Sequence, residues 1–270
     1  MNDQPRWLNV FNDLSTSSFV DVLRRDHPHL LAEARLRPED VATIPHGTTV
    51  LSVSYREGVI MAGDRQATAG YQVASRRIEK IFKADDYSGV GIAGAAGPAV
   101  EMAKLFQTEL EHYEKVEGDN LSLEGKANKL GQMIRMNLPM AMQGLAVVPI
   151  FAGFDVKSAV GRLFKYDVTG GKYEETNFEA QGSGSKDARD SLKKLWKRDM
   201  TRDEALRVAI EALIDAADED VGTGGPDFIR GIFPTVKTID RSGFGDVPES
   251  EVRRMCETVL ADRTKNGNGA

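Results

Sequence analysis

The pattern of apolar and polar positions becomes regular only from Thr48 onward. Residues 1–47 contain short apolar stretches interrupted by prolines and keep no sustained period. Such a composition is typical of a disordered tail, or of a segment that is removed from the mature protein. From Thr48 to Tyr55 the residues alternate and include several β-branched side chains, which predicts a strand.

Two predicted hairpins open the regular part of the chain. The first joins Thr48–Tyr55 to Val59–Ala62, and the second joins Ile78–Lys83 to Ser88–Ala93. Gly94–Pro98 then begins a helix, because a proline in the first helical turn loses no hydrogen bond. The predicted buried stripe of this helix consists of apolar residues at helical spacing: Ala99, Ala103, Phe106, Leu110 and Tyr113.

The second half of the chain predicts further strands between helices. A helix is predicted over Leu123–Met142, strands over Ala146–Phe154, Arg162–Asp167, Lys172–Phe178 and Phe228–Ile239, and a final helix near Ser250–Leu260. Two helices precede the last strand, and the second of them begins at a capping box, Thr201-x-x-Glu204. Antiparallel hairpins interleaved with helix pairs predict an α+β fold, a four-layer αββα sandwich.

Composition narrows the class of protein. The chain has 270 residues and a formal net charge of −6, so it lacks the basic surface that nucleic-acid binding requires. No apolar run approaches the roughly 18 residues of a membrane span. The N-terminus lacks the basic and apolar regions of a secretory signal, and the single cysteine, Cys256, fits a reducing compartment. We therefore expect a cytoplasmic protein that binds neither nucleic acid nor membrane.

The positions of the histidines restrict the possible chemistry. Of the four, three precede Thr48, and His112 stands among charged residues on a predicted helix face. We interpret His112 as a solvated surface residue. If the N-terminal segment is removed, Ser–His catalysis, Cys–His catalysis and a multi-histidine metal site are all excluded. We expect neither a metal nor a cofactor.

The candidate nucleophile lies where the irregular segment meets the first predicted strand, in His46-Gly47-Thr48-Thr49-Val50. A threonine hydroxyl reacts poorly unless a base removes its proton. If cleavage after Gly47 makes Thr48 the N-terminal residue, its own α-amine, with an ordinary pKa near ~8, can act as that base. Threonine with an N-terminal amine is a recognised variant of the nucleophile–base pair.

Two charged residues fall where they could support such a nucleophile. Asp64 follows the second predicted strand, which folds back beside the first, and Lys80 lies in the next hairpin. A lysine ammonium near the amine would lower the amine's pKa by like-charge repulsion and stabilise a developing oxyanion, while Asp64 would pair with the lysine. The alternative is a turn aspartate that pairs with neighbouring Arg65, together with an ordinary strand-edge lysine.

Several motifs resemble the β subunit of the proteasome, specifically its actinobacterial type. They are GTTVLSVSYREGVIMAGDRQATAG, RRIEKIF, GIAGAAG, GSGS and DEDVGTGGPD, and they cover residues 46–240 in order. The resemblance implies a threonine endopeptidase with a propeptide, residues 1–47, removed by autocatalysis, and a catalytic domain over residues 48–270. It also implies stacked heptameric rings with α subunits (α7β7β7α7) and an ATPase ring acting through the α ring. The substrates would be unfolded or tagged proteins, the tag being a small ubiquitin-like protein.

Individual positions match the site of that family. The resemblance implies that Thr48 is both nucleophile and base and that Asp64 and Lys80 form the supporting ion pair. It implies that Gly94 supplies an N–H to the oxyanion. Thr68 would pair with the backbone of the substrate, as in strand addition.

A hydroxyl cluster and a pocket follow from the same resemblance. Ser183, Asp220 and Thr223 would hydrogen-bond around the terminal amine; many relatives carry serine at the last position, so the hydroxyl is kept. The positions that match the family's pocket for the side chain before the cut are all apolar: Ala67, Ile78, Ile92, Ala96 and Val100. Such a pocket favours leucine, tyrosine or phenylalanine over charged side chains, so we expect a chymotrypsin-like preference.

Single segments have rival interpretations. Gly94–Gly97 before a helix could cradle a phosphate, but the Lys-Ser/Thr of a P-loop is missing. Ser183 could be a serine nucleophile, but no histidine is available to activate it. The acidic run that ends at Asp220 could bind calcium, but it lacks EF-hand spacing, and we expect mostly a solvated helix face. We interpret four methionines as core and subunit contacts rather than as a cofactor site: Met133, Met136, Met140 and Met142.

Three alternatives remain for the whole protein. One is a self-cleaving amidase for small molecules, which Lys80 and the GSGS motif disfavour. Another is an inactive structural ring subunit, which the intact Gly47-Thr48, Asp64 and Lys80 disfavour. The third is an ATP-dependent protease of the simpler two-ring type, which the long N-terminal segment and the GTGGPD motif fit less well.

Overall fold

The computed structural model describes residues 47–70 and 72–265. The predicted propeptide lies outside these residues except for Gly47, so its removal stays a prediction. The strands, in chain order, are β1 (Thr49–Tyr55), β2 (Gly58–Gly63), β3 (Ala67–Ala69), β4 (Gln72–Ser75), β5 (Ile81–Asp85), β6 (Ser88–Gly94), β7 (Val147–Asp155), β8 (Val160–Tyr166), β9 (Lys172–Glu175), β10 (Phe178–Gly182), β11 (Thr235–Asp240) and β12 (Gly243–Asp246). The helices are α1 (Ala96–Glu117), α2 (Leu123–Met136), α3 (Leu138–Ala141), α4 (Ser185–Leu195), α5 (Arg202–Glu219) and α6 (Glu249–Lys265).

Two five-stranded antiparallel sheets form the centre of the described part. The strand order is β10-β1-β2-β11-β12 in the first sheet and β5-β6-β7-β8-β9 in the second. Helices α4 and α5 pack on the first sheet, with α6 against α5, and helices α1 and α2 pack on the second sheet. The predicted α+β sandwich of four αββα layers is therefore confirmed.

Alternation along the strands explains the layers. In β1, Leu51 and Val53 belong to the apolar layer beneath α4, α5 and α6, whereas Val50 belongs to the layer between the two sheets. Successive side chains of a strand point to opposite faces, so one strand supplies both layers. A third apolar layer, around Phe106 and Phe151, fills the space between the second sheet and helices α1 and α2.

The predicted strand Lys172–Phe178 is wrong, because this segment contains the crossing between the two sheets. Its first four residues form β9 at the edge of the second sheet, and Phe178 begins β10 beside β1 in the first. The carbonyl of Asn177, between these strands, accepts the backbone N–H of Ser54 at 2.8 Å. A period-2 pattern continues through such a crossing, so the alternation alone does not reveal it.

The predicted helix Leu123–Met142 is also wrong in its second half. Helix α2 ends at Met136, and Asn137 begins a separate short turn, α3, that carries Pro139 in its first residues. Proline cannot donate the N–H that a continuous helix would require, and its ring clashes with the preceding turn. The methionine interpretation divides accordingly: Met133 is buried, whereas Met136, Met140 and Met142 are exposed rather than part of the core.

Smaller corrections concern element ends. Strand β5 begins at Ile81 rather than Ile78, and β11 begins at Thr235, after a turn closed by an Asp227–Ile232 bridge. The β3–β4 hairpin and β12 were not predicted. The predicted apolar stripe of α1 is buried except for Tyr113, which belongs to the last turns of the helix, residues 111–117, where every residue is exposed. The capping box at Thr201 is confirmed, with hydrogen bonds in both directions to Glu204.

Candidate active site

Thr48 lies directly before β1, beside the loop that joins β10 to α4. Its carbonyl accepts the Ser183 N–H at 2.9 Å, and its own N–H points to Ser183 Oγ at 3.4 Å. The residue is buried. The Gly47–Thr48 peptide bond therefore sits inside a hydrogen-bonded frame rather than in a free tail.

Lys80 and Asp64 form a buried ion pair beside this bond. Lys80 Nζ is 2.5 Å from Asp64 Oδ1, 2.6 Å from the Gln66 carbonyl oxygen and 3.4 Å from the Gly47 carbonyl oxygen. All three ammonium hydrogens thus have an acceptor. The side chains of Lys80 and Asp64 are 3% and 0% exposed, so the lysine is not an ordinary strand-edge residue. Asp64 pairs with Lys80, not with Arg65 as in the alternative interpretation.

The surroundings of the pair hold both charges in place. Backbone N–H groups of Thr49, Gln66 and Gly224 donate to the Asp64 carboxylate at 2.8, 2.8 and 2.9 Å. Burial lowers the pKa of Lys80 below its ordinary value, and the Asp64 carboxylate acts in the opposite direction. The carboxylate therefore has three backbone hydrogen-bond donors besides the Lys80 ammonium.

Ser183, Asp220 and Thr223 form a second group, which contacts the backbone of Thr48 through Ser183. Asp220 Oδ2 accepts the Ser183 hydroxyl at 2.5 Å and the Thr223 hydroxyl at 2.6 Å. Ser183 lies in the β10–α4 loop, and Asp220 and Thr223 lie directly after α5; these segments meet because α4 and α5 pack on the same sheet. The positions that the sequence assigned to one site are therefore brought together.

Gly94 and Thr68 are two further residues that the sequence assigned to the site. Gly94 ends β6 with φ of +122°, and a Cβ there would lie 2.1 Å from the Ala146 carbonyl oxygen, so only glycine fits. Thr68 is buried in β3. A Cβ at Gly47 would lie 2.3 Å from Thr68 Oγ1, which puts Thr68 directly against the residue before Thr48.

A pocket opens beside Thr48, and the structure brings all five predicted apolar residues into its wall. Its wall also includes Gly94, Phe82 and Ala99, and besides the site residues Thr48 and Lys80 it contains a carboxylate that the sequence did not assign to it, Glu79. Glu79 was missed because alternation along Ile78-Glu79-Lys80 assigns it to the opposite side from its neighbours. Its Oε1 accepts the Ile81 N–H at 3.4 Å.

Some site residues gave no usable signal in the sequence. Gln66 takes part through its backbone carbonyl and N–H, which every residue type except proline offers, so the side chain does not mark the role. In the sequence Thr49 is simply the threonine after the candidate nucleophile, yet its hydroxyl lies 2.6 Å from that of Thr223. Hydroxyls are common in strands, and only the fold decides which of them meet.

The described residues contain neither a cluster that could bind a metal ion nor a helix that could span a membrane. Within residues 47–70 and 72–265, no group of three His, Cys, Asp or Glu side chains could hold a metal ion. Among the helices of that part, none is both long and apolar enough to span a membrane. His112 is exposed on α1, as predicted. In the acidic run, Asp215 and Asp218 both form ion pairs with Arg263.

An αββα sandwich with a threonine directly before its first strand is the arrangement of the N-terminal-nucleophile hydrolase fold. Comparison with known families narrows this class, since the proteasome family, described as proteasome subunit, matches residues 44–228. The chain belongs to the proteasome family.

Individual relatives match over nearly the whole chain. A proteasome subunit beta of Streptomyces griseus is 53% identical over 256 residues, which cover 94% of this chain and 91% of the relative. The proteasome subunit beta of Frankia casuarinae is 50% identical over 261 residues, 96% of this chain and 95% of the relative. That of Acidothermus cellulolyticus is 51% identical over 265 residues, 96% and 91% of the two chains.

Proposed function

We propose that this chain is the precursor of a proteolytic proteasome β subunit, a threonine endopeptidase that activates itself by cleaving Gly47–Thr48. One observation carries the proposal: the Lys80 ammonium, paired with Asp64, lies 3.4 Å from the carbonyl oxygen of the bond to be cut. A fixed positive charge at that oxygen stabilises the oxyanion that forms when the carbonyl is attacked.

Self-cleavage would begin with attack of the Thr48 hydroxyl oxygen on the Gly47 carbonyl carbon. The new C–O bond and the broken C–N bond convert the amide into an ester, and the hydroxyl proton passes to the nitrogen, which becomes the free α-amine of Thr48. Water then hydrolyses the ester, which releases the segment ending at Gly47. A side chain at Gly47 would clash with Thr68, so glycine is the residue that this geometry admits.

Substrate cleavage would use the same atoms. The free amine takes the proton of the Thr48 hydroxyl, the oxygen attacks the substrate carbonyl, and the proton passes to the leaving amine. An acyl-enzyme on Thr48 is then hydrolysed by water. Ser183 Oγ, which already faces the nitrogen of Thr48, supports the orientation of that amine. The space that Gly47 occupies against Thr68 becomes available to substrate backbone.

The proposal extends to the assembly. The curated relatives are named proteasome subunit beta, which supports assembly of this chain into core rings. We propose the α7β7β7α7 arrangement, an ATPase ring acting through the α ring, substrates tagged with a small ubiquitin-like protein and a cytoplasmic location. No nucleic acid, membrane or cofactor enters the proposed reaction.

The decisive experiment is intact-mass analysis of the chain co-expressed with its α-subunit partner. We expect the wild type to begin at Thr48 and to hydrolyse peptides, and the Thr48→Ala variant to keep residues 1–47 and to be inactive. Normal processing of Thr48→Ala in a protease-poor host would contradict self-cleavage. An assembled wild type that stays unprocessed and inactive would instead support the structural ring subunit.

A further inference from the structure

Thr49 is fully buried, and every one of its polar groups has a partner in the candidate site. Its N–H donates to Asp64 Oδ1 at 2.8 Å, and its carbonyl accepts the Asp64 N–H at 3.1 Å. Its hydroxyl oxygen accepts the Gly184 N–H at 3.0 Å and lies 2.6 Å from the Thr223 hydroxyl. One residue therefore joins the Asp64–Lys80 pair to the cluster of hydroxyls.

Counting protons fixes the direction of these bonds. An ionised carboxylate only accepts, so Thr223 must donate its single hydroxyl hydrogen to Asp220, 2.6 Å away. In the contact with Thr49, Thr223 can then only accept, and the Thr49 hydroxyl is the donor. The result is a relay of three hydrogen bonds that all run in one direction: the Gly184 N–H donates to Thr49, Thr49 to Thr223, and Thr223 to Asp220.

The same count determines what Ser183 offers to Thr48. The Ser183 hydroxyl lies 2.5 Å from Asp220 Oδ2 and 3.4 Å from the Thr48 carbonyl, so its hydrogen goes to the carboxylate. Only lone pairs of Ser183 Oγ then face the nitrogen of Thr48. Such an acceptor orients an N–H of the terminal amine and leaves the nitrogen lone pair for the Thr48 hydroxyl.

The relay is packed without spare room. A Cβ at Gly184 would lie 2.7 Å from both the Thr49 and the Thr223 hydroxyl oxygens. Thr49 also shares its face of β1 with Leu51 and Val53, which belong to the apolar layer under α4 and α5. It does not line the pocket beside Thr48, so it acts on other site residues rather than on substrate.

We propose that Thr49 is a positioning residue for the reaction, an inference that rests on the proposed function. It fixes Ser183 through the adjacent Gly184 N–H and orients Asp220 through Thr223. Without its hydroxyl, the buried Gly184 N–H and the Thr223 oxygen each lose a partner. The Ser183 segment is then free to shift relative to the amine, and shifts of this kind reduce the rate while substrate binding is kept.

The test compares Thr49→Val, which keeps the shape but removes the hydroxyl, with Thr49→Ser, which restores it. Both are assembled with the α subunit, and mature sites are counted by intact mass so that rates refer to processed chains. We expect Thr49→Val to lower kcat on the order of 10- to 100-fold with KM within about twofold of the wild type. Thr49→Ser should recover kcat to within about threefold.

Two further variants make the outcome decisive. Ser52→Ala removes another fully buried β1 hydroxyl, which donates to the Ile60 carbonyl at 3.1 Å, and should leave kcat unchanged. Gly184→Ala keeps both hydroxyls but crowds them, so it should lower kcat even if Thr49→Val does not assemble. Wild-type kcat in assembled Thr49→Val or Gly184→Ala, or no recovery in Thr49→Ser, overturns the inference. If the wild type itself shows no activity that depends on Thr48, the proposed function fails instead.

Discussion

Lys80 is a buried lysine whose importance follows from the three oxygens that surround its ammonium group. Replacing it by alanine removes the positive charge beside the Gly47 carbonyl, so we expect peptidase activity to fall on the order of 10²-fold or more. The fold should survive, because the Asp64 carboxylate keeps three backbone N–H donors. Processing and activity of the assembled particle measure the effect.

A matched control for Lys80→Ala is Lys126→Ala. Lys126 is also buried and also forms an ion pair, with Asp85, but it lies outside the site. This variant should lose stability and keep its activity per assembled particle. If Lys80→Ala particles retained most of their activity, the lysine would have only a structural role.

The buried thiol of Cys256 should react slowly with thiol reagents. Burial raises the pKa of its thiol to about 12, so almost no thiolate is present at neutral or mildly alkaline pH. A maleimide at pH 8 should therefore leave the folded protein unlabelled and label the denatured protein once, since the chain has a single cysteine. Rapid labelling of the folded protein, read by intact mass, would show that α6 opens readily.

At the scale of elements, helix α5 begins with a complete capping box. Thr201→Ala removes the hydroxyl that accepts the Glu204 N–H, and we expect a loss of about 1 kcal/mol in the free energy of unfolding. Thr258→Ala is the matched control, because Thr258 is exposed within α6 and its hydroxyl donates to the carbonyl of Arg254 in the preceding turn. Chemical denaturation of both variants compares them, and equal stability would contradict the role of the cap.

The pocket between β3, β6 and α1 carries the prediction on specificity. Filling its apolar wall with leucine, tyrosine or phenylalanine gains roughly 1.5–3 kcal/mol, whereas a charged side chain loses hydration. We expect fluorogenic peptides with these apolar residues before the cut to be cleaved faster than those with arginine or glutamate. Glu79→Gln is the informative variant: if arginine peptides are cleaved well and this change abolishes it, the Glu79 carboxylate reaches the substrate.

For the whole molecule, the layer between the sheets holds the two halves of the site together. Thr48 precedes the first strand of one sheet, and Lys80 precedes the first strand of the other. Leu163→Ala, in the layer between the sheets, and Leu130→Ala, on the buried face of α2, each empty a fully buried site and should each cost about 2–5 kcal/mol. At matched stability, we expect Leu163→Ala to impair processing more. Equal processing would mean that the sheets are positioned independently of this layer.

The sequence by itself determined the order of most elements, the four-layer fold and the positions of Thr48, Asp64 and Lys80. Local periodicity and turn chemistry act over a few residues, and the motifs around these three positions are contiguous in the chain. The sequence also predicted the buried stripe of α1 up to Leu110. Its errors lie where a local pattern continues through a change of direction, as between β9 and β10 or at Asn137.

Only the tertiary structure decided which polar atoms meet. Thr49 and Thr223 are 174 positions apart, yet their hydroxyls lie 2.6 Å from each other, because α5 packs on the sheet that contains β1. The carbonyl of Gln66 and the N–H groups of Gly184 and Gly224 belong to the backbone, so their side chains do not identify them. Pairing of this kind depends on how layers stack, and the stacking is set by the burial of all the apolar faces at once.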